Sequence, residues 1–337
     1  MNNRTCAALA LIIPGGILII TAAILISRWQ GVDKVPRHLK YEDMSQWRKV
    51  DPERIAYEEK DPVKTGFSSL NGIHVDVQGT VYAAGNSGVR QFGPSGRREG
   101  EWKTEEPVTC VTCDREGTLY AGQKTGIRIF KNNGTSVSWG TKGRRKGEFM
   151  NITALAVQDW NLFAADAGNR CVHRFTLEGD FINDIGRKDP DTGESGLIIR
   201  SLHLDVALAE KNRICVVNPG MHSIATYTFN GEKLSSWGTY GTGIKGFSGC
   251  CNPTHIALTP DGTFVTSEKN IPRIKIYSRK GIFRHVVAPP SSFDRKCDGM
   301  DLGVDGAGRI YAADPVQRTV RIFVKKVSNG SASEKEI

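Results

Sequence analysis

The sequence predicts an all-β chain, a six-bladed β-propeller preceded by one N-terminal transmembrane helix, on three observations. The stretch Trp139-Gly140-Thr141-Lys142-Gly143-Arg144-Arg145-Lys146-Gly147-Glu148-Phe149 returns about a hundred residues later as Trp237-Gly238-Thr239-Tyr240-Gly241-Thr242-Gly243-Ile244-Lys245-Gly246-Phe247. Around it lies a repeated unit: an apolar run, a turn with Gly or Asn, a second apolar run, and a third run ending in an aromatic. Residues 6–27 carry no charge.

Six copies of the unit align. Their second runs start at Gly79, Gly117, Asn161, Asn212, Gly262 and Gly308, and their third runs close on Phe92, Phe130, Phe175, Tyr227, Tyr277 and Phe323. A spacing of roughly 40–50 residues suits one small antiparallel sheet per copy and is too short for a sheet plus a crossover helix. Such a sheet cannot bury both faces alone. Stacking the sheets radially, the last against the first, removes the exposed faces and edges together.

The segment Asp166-Ala167-Gly168-Asn169-Arg170-Cys171-Val172-His173-Arg174-Phe175 resembles the Asp-x-x-Asn-Arg-hydrophobic-x-x-Phe signature of the NHL repeat family, and the two Trp-Gly-Thr stretches resemble its inter-blade linkers. The resemblance covers about residues 66 to 326. It implies the propeller architecture. It does not imply one function, because the family includes ligand binders, protein-interaction modules and a few enzymes.

Taken in order, residues 1–5 are a short tail and 6–27 a membrane anchor: at about 1.5 Å per residue the segment spans about 30 Å, and its apolar core is longer than that of a cleaved signal peptide. Residues 28–50 read as a stalk, 51–326 as the propeller and 327–337 as a polar tail. Arg28, Lys34, Arg37 and Lys40 after the anchor favour a cytoplasmic second flank, whereas a short tail, one anchor and a soluble domain is a common exported arrangement; the expectation is an extracytoplasmic propeller. The last repeat supplies only three runs. A strand near residues 54–58 is expected to complete its sheet and close the ring.

Formal net charge is +9, but the basic residues are dispersed and aromatics are 8% of the chain. No basic segment alternates with stacking residues, so no nucleic-acid partner is expected. The partners expected are the membrane and a protein. No phosphate-binding glycine loop opens a helix and no nucleophile elbow is present.

Aligned on their turns, the first runs place Gly72, Cys110, Ala154, Asp205, His255 and Asp301 at one level of the innermost strands. Counting back four residues from His255 and Asp301 gives Cys251 and Cys297. Cys250, Cys251, His255, Cys297 and Asp301, with His203 and Asp205 from the preceding copy, form the one dense group of potential ligands. Such donors suit zinc or an iron–sulfur centre, a Cys251–Cys297 disulfide, or plain unbonded thiols. The expected function is a binding or assembly subunit with a Cys/His site at the channel mouth. A redox component with a cysteine-held metal is the alternative, and a metal-dependent lyase or hydrolase the third reading. The NHL resemblance brings in the peptidyl-amidating lyases, whose zinc is held by histidines. Here His74, His203 and His255 are spread over roughly 13 Å of strand, against one shared ion.

Overall fold

The computed structural model describes residues 48–188, 193 and 196–327; segment 6–27, most of the stalk and the tail from residue 328 lie outside them. Among the described residues no helix is long and apolar enough to cross a membrane.

The described strands make six four-stranded antiparallel sheets. Blade 1 holds β2 (Leu70–Val75), β3 (Val81–Gly85), β4 (Gly88–Phe92) and β5 (Arg98–Lys103); blade 2 holds β6 (Cys110–Cys113), β7 (Leu119–Gln123), β8 (Gly126–Phe130) and β9 (Ser136–Trp139). Blade 3 holds β10 (Ile152–Gln158), β11 (Asn161–Asp166), β12 (Cys171–Thr176) and β13 (Phe181–Ile185); blade 4 holds β14 (Val206–Ala209), β15 (Arg213–Asn218), β16 (Ser223–Thr228) and β17 (Lys233–Trp237). Blade 5 holds β18 (His255–Leu258), β19 (Phe264–Glu268), β20 (Arg273–Tyr277) and β21 (Phe283–Ala288). Blade 6 joins β22 (Leu302–Val304), β23 (Ile310–Asp314) and β24 (Thr319–Lys325) to β1 (Tyr57–Lys64) from the other end of the chain.

Burial follows position within the blade. In blade 3, β11 is buried at every residue, whereas β13 is buried only at Ile185. The second strand is covered by a neighbouring blade on each face, so it needs a continuous run such as Leu162-Phe163-Ala164-Ala165 rather than alternation. Of the aromatics that close the third strands, Phe92, Phe175, Tyr227, Tyr277 and Phe323 are buried and Phe130 is half-buried.

The first strands β2, β6, β10, β14, β18 and β22 touch in that order, and β22 returns to β2. Each junction has its own bond. Asn71 donates to Val108 O (2.8 Å), Thr109 to Ile152 O (2.9 Å) and Thr153 to Leu204 O (2.6 Å). Asp205 Oδ2 then accepts Ile256 N (2.8 Å), Ser267 donates to Met300 O (2.6 Å), and Asp301 Oδ2 accepts Ile73 N (2.7 Å). Short side chains, five at the start of the inner strands and Ser267 near the end of a second strand, therefore tie successive blades together where sheet ladders cannot.

The ring is closed by β1, with Tyr57 opposite Lys325 and Lys64 opposite Thr319. This strand overlaps the 54–58 expected from the sequence at Tyr57 and Glu58 and continues to Lys64, because Pro52–Arg54 form a 3-10 turn and Ile55 makes an isolated parallel bridge to Val286 of blade 5. Arg321 of β24 anchors the closing strand through Glu59 (Nε–Oε1 2.7 Å).

Both Trp-Gly linkers behave alike. Trp139 leaves blade 2 and packs on Phe175 of blade 3 at 4.9 Å, and Trp237 leaves blade 4 and packs on Phe264 and Tyr277 of blade 5, each at 4.9 Å between ring centres. Gly238 follows with φ 109°, and a Cβ there would stand 2.6 Å from the His222 carbonyl oxygen. Only glycine serves at that crossing.

Candidate functional site

Each blade is an up-and-down meander, so all six inner strands begin at one end of the ring, here called the upper face. The upper face carries the loops between blades and the turns joining second to third strands. His203 lies in the loop before β14, His255 begins β18, and Asp298 lies in the loop before β22. These loops bring the two histidine rings edge-to-face at 5.5 Å. His203 Nε2 is 3.5 Å from Asp298 Oδ2, and Lys269 Nζ is 3.5 Å from Asp298 Oδ1. Asp298 is 70% exposed and links this pocket of half-buried groups to solvent.

Burial sets the chemistry of these rings. It lowers the His255 pKa well below the ordinary value, and neighbouring His203 adds to the effect. Burial also lowers His203, with Lys269 acting in the same direction against Asp298. Two neutral imidazoles with unprotonated nitrogens therefore stand beside an ammonium–carboxylate pair. They can accept hydrogen bonds or a proton, and Lys269 can meet an anion.

The other expected ligands are placed differently. Among the described residues every cysteine is free, so the Cys251–Cys297 disulfide is not formed. Cys297 is buried, its thiol directed at Gly299 O (3.8 Å), and burial pushes its pKa up to about 12. Cys251 is buried beside exposed Cys250, and its thiol pKa is raised by burial first and by Cys250 second. Asp301 is turned to Ile73 N and Leu302 N. Cys250, Cys251, His255, Cys297 and Asp301 thus do not converge as one ligand set.

Cys110, Ala154, Asp205 and Asp301 do share the central channel, a cavity of about 230 Å³ lined by all six inner strands. Gly72 stands at the same level, its Cβ direction 3.0 Å from Asp301 Oδ2. His255 departs from this level and takes part in the mouth instead. Burial raises the Asp301 pKa to about 6, and burial followed by the charge of Asp301 raises Asp205. Both carboxyls accept two backbone N–H groups, which marks them as blade ties.

The described residues hold one group of three metal-type donors within 4.8 Å of one another, and the sequence did not single it out: Cys171, His173 and Asp184 in blade 3. His173 Nδ1 is 2.6 Å from Asp184 Oδ1, and Nε2 is 3.6 Å from Asp166 Oδ2. The Cys171 sulfur is 3.9 Å from one ring nitrogen and 3.7 Å from the other, so it lies off the lone-pair axis of both. The arrangement suits a protonated ring between two carboxylates better than an ion shared by sulfur and nitrogen.

The fold and this mouth define a six-bladed β-propeller. Among particular solved structures, the chain is similar to a streptogramin B lyase, at 11% identity with a TM-score of 0.54, covering 80% of this chain and 98% of that one. It is also similar to virginiamycin B lyase from Staphylococcus aureus, at 12% identity and TM-score 0.55, covering 80% and 100%. A third is the WD40 propeller domain of Doa1, at 14% identity and TM-score 0.52, covering 81% and 98%. At such identities the likeness concerns the fold. No family model matches the chain, and no curated protein does.

Proposed function

We propose that this chain is a binding propeller that holds a ligand or a partner's segment at the upper mouth, between the loops before blades 4, 5 and 6. The observation that supports the reading is the meeting of His203, His255, Lys269 and Asp298 from three blades at one place open to water. Short side chains tie the blades behind it, so the mouth is pre-organised. Neutral imidazoles next to an ammonium suit a ligand with hydrogen-bond donors and an anionic group. A membrane-anchored, extracytoplasmic placement belongs to the same proposal, supported by the charge-free segment 6–27.

A thermal-shift screen of small carboxylates, short peptides and divalent metals, run on wild type and on His203→Ala, tests the reading. Compounds that raise the Tm of wild type and leave His203→Ala unmoved support it. A set of hits indifferent to the substitution removes it.

The histidine pair also favours a second reading, acid–base catalysis of an elimination. The likeness to virginiamycin B lyase, one structure of which is a catalytically inactive histidine-to-alanine variant with quinupristin, motivates the test. Conversion of quinupristin by wild type, abolished in His255→Ala, is the expected result for this reading; an unchanged substrate leaves binding alone.

A further inference from the structure

The upper face carries two more features that the mouth does not use. The linker into blade 3 presents Lys142, Arg144, Arg145 and Lys146, all exposed, and Arg170 in the neighbouring turn of blade 3 joins them. Arg144 reaches Gly168 O at 3.4 Å, which places linker and turn side by side. Glu148 is the one acid within the linker, and it is mostly covered, turned inward to Arg145 N (2.9 Å) and Nε (2.8 Å). The exposed acids of this face, Glu105, Glu106, Asp294 and Asp298, stand on the loops before blades 2 and 6. Asp189, Asp191 and Glu194 lie outside the described residues.

Beside this basic cluster, blade 4 exposes apolar side chains at its loop tips. Leu202 is 73% exposed, Tyr240 64% and Met221 54%. They are neighbours: Gly220 N donates to Ile198 O (2.9 Å), tying the turn of Met221 to the loop of Leu202, and His222 stacks edge-on with Tyr240 at 5.1 Å. Soluble surfaces show single exposed apolar residues routinely, but three at adjoining tips, next to a run of cations, form an amphipathic patch. Arg48, the first described residue, bonds Asn270 O (3.2 Å) in the corresponding turn of blade 5.

We propose that the upper face docks on an anionic lipid surface, with Leu202, Met221 and Tyr240 entering the headgroup layer and the cluster of blade 3 meeting lipid phosphates and carboxylates. The chemistry separates lipid from nucleic acid. Single strands are held by several stacking rings along a basic groove, whereas two of these three tips are aliphatic and fit the acyl boundary. Basic residues near a membrane act through its negative surface potential, so the contact is sensitive to salt and to lipid charge. The docking stands independently of what the mouth holds.

Hydrogen exchange on the full chain in phosphatidylcholine nanodiscs and in discs containing phosphatidylserine tests this, with the amides of residues 141–147, 200–203 and 238–243 as reporters. Slower exchange of these loops in the anionic discs alone, reversed by high salt and absent in Arg144→Glu/Lys146→Glu/Arg170→Glu, is expected. That variant alters exposed side chains, and an unchanged Tm confirms its folding. Equal exchange in both discs overturns the proposal. So does protection by a single-stranded oligonucleotide without protection by lipid, which assigns the cluster to nucleic acid. Ligand shifts at the mouth that persist in the triple variant show that the two sites fail or stand separately.

Discussion

His173 of blade 3 and Lys275 of blade 5 occupy the same place in two copies of one device: each lies buried in a third strand, two residues before the aromatic that closes it, beneath the phenylalanine of a Trp-Gly linker. The His173 ring meets Phe149 edge-on at 5.4 Å, and Lys275 Nζ lies 4.7 Å from the centre of Phe247. In each copy a carboxylate at the end of the second strand, Asp166 or Glu268, faces the cation. The repeat thus keeps a buried basic group while changing the residue that supplies it.

Blade 5 shows how tightly the device is built. Glu268 lies 2.7 Å from Lys275 Nζ and 2.8 Å from Arg273 Nε, and Lys275 also donates to Gly246 O in the linker at 2.7 Å. Burial opposes the charge on Glu268, yet Lys275 and Arg273 outweigh it and hold the carboxyl below its ordinary range. Burial lowers the Lys275 pKa to about 7 against the pull of Glu268, so Glu268→Ala strands the buried Arg273 cation and takes from Lys275 the carboxylate that supports its charge; it should cost about 3–5 kcal/mol, read from urea unfolding. A loss below about 1 kcal/mol, the range of surface pairs, would remove the network from the stability of blade 5.

Blade 3 makes the same device sensitive to pH. Burial works against a charged His173, but Asp166 and Asp184 prevail and raise its pKa from 6.5 to about 11. Because the folded value lies above the unfolded one, this stabilisation is complete below pH 6.5 and is lost as pH rises through about 11. His173→Gln should melt lower than wild type at neutral pH, and the difference should shrink steadily as pH approaches 11. A difference independent of pH would contradict a charged ring.

The channel carboxyl Asp301 titrates in the same direction, at lower pH. Asp301, lifted by burial from 3.8 to about 6, keeps a proton in the fold that the unfolded chain has released, so its contribution falls as pH rises between those values. Asp301→Ala also frees Ile73 N at the last junction of the ring and should cost about 1–3 kcal/mol at neutral pH, measured by denaturant titration. A neutral result would mean that water replaces the tie.

Removing residues 1–64 takes away β1 and leaves β24 as an open edge. That chain should aggregate or lose cooperative melting, whereas removal of residues 1–47 should leave the transition cooperative. Equal behaviour of the two truncations would show that blade 6 is sufficient with three strands.

The architecture was legible because it rests on period. Six copies, the Trp-Gly linkers and the need for a borrowed strand all follow from spacing and alternation. The channel level was legible for Cys110, Ala154, Asp205 and Asp301, which sit at matched starts of inner strands. The mouth was not. Its loops differ in length, so counting along strands cannot predict that Asp298 meets both His203 and Lys269, or that Cys251 and Cys297 turn into separate packing. A signal existed for the buried basic groups: His173, Arg273 and Lys275 stand between apolar residues of third strands, which demands a partner nearby. The membrane anchor rests on segment 6–27, outside the described residues.

The borrowed strand also fixes how the domain answers to pulling. Tyr57 faces Lys325, so the chain enters β1 and leaves β24 at the same end of this pair of strands. Tension between the termini would load one ladder bond at a time, as a zipper is opened, instead of sharing the load across all of them in shear. The closure that holds six blades against heat is therefore the first part to yield to force.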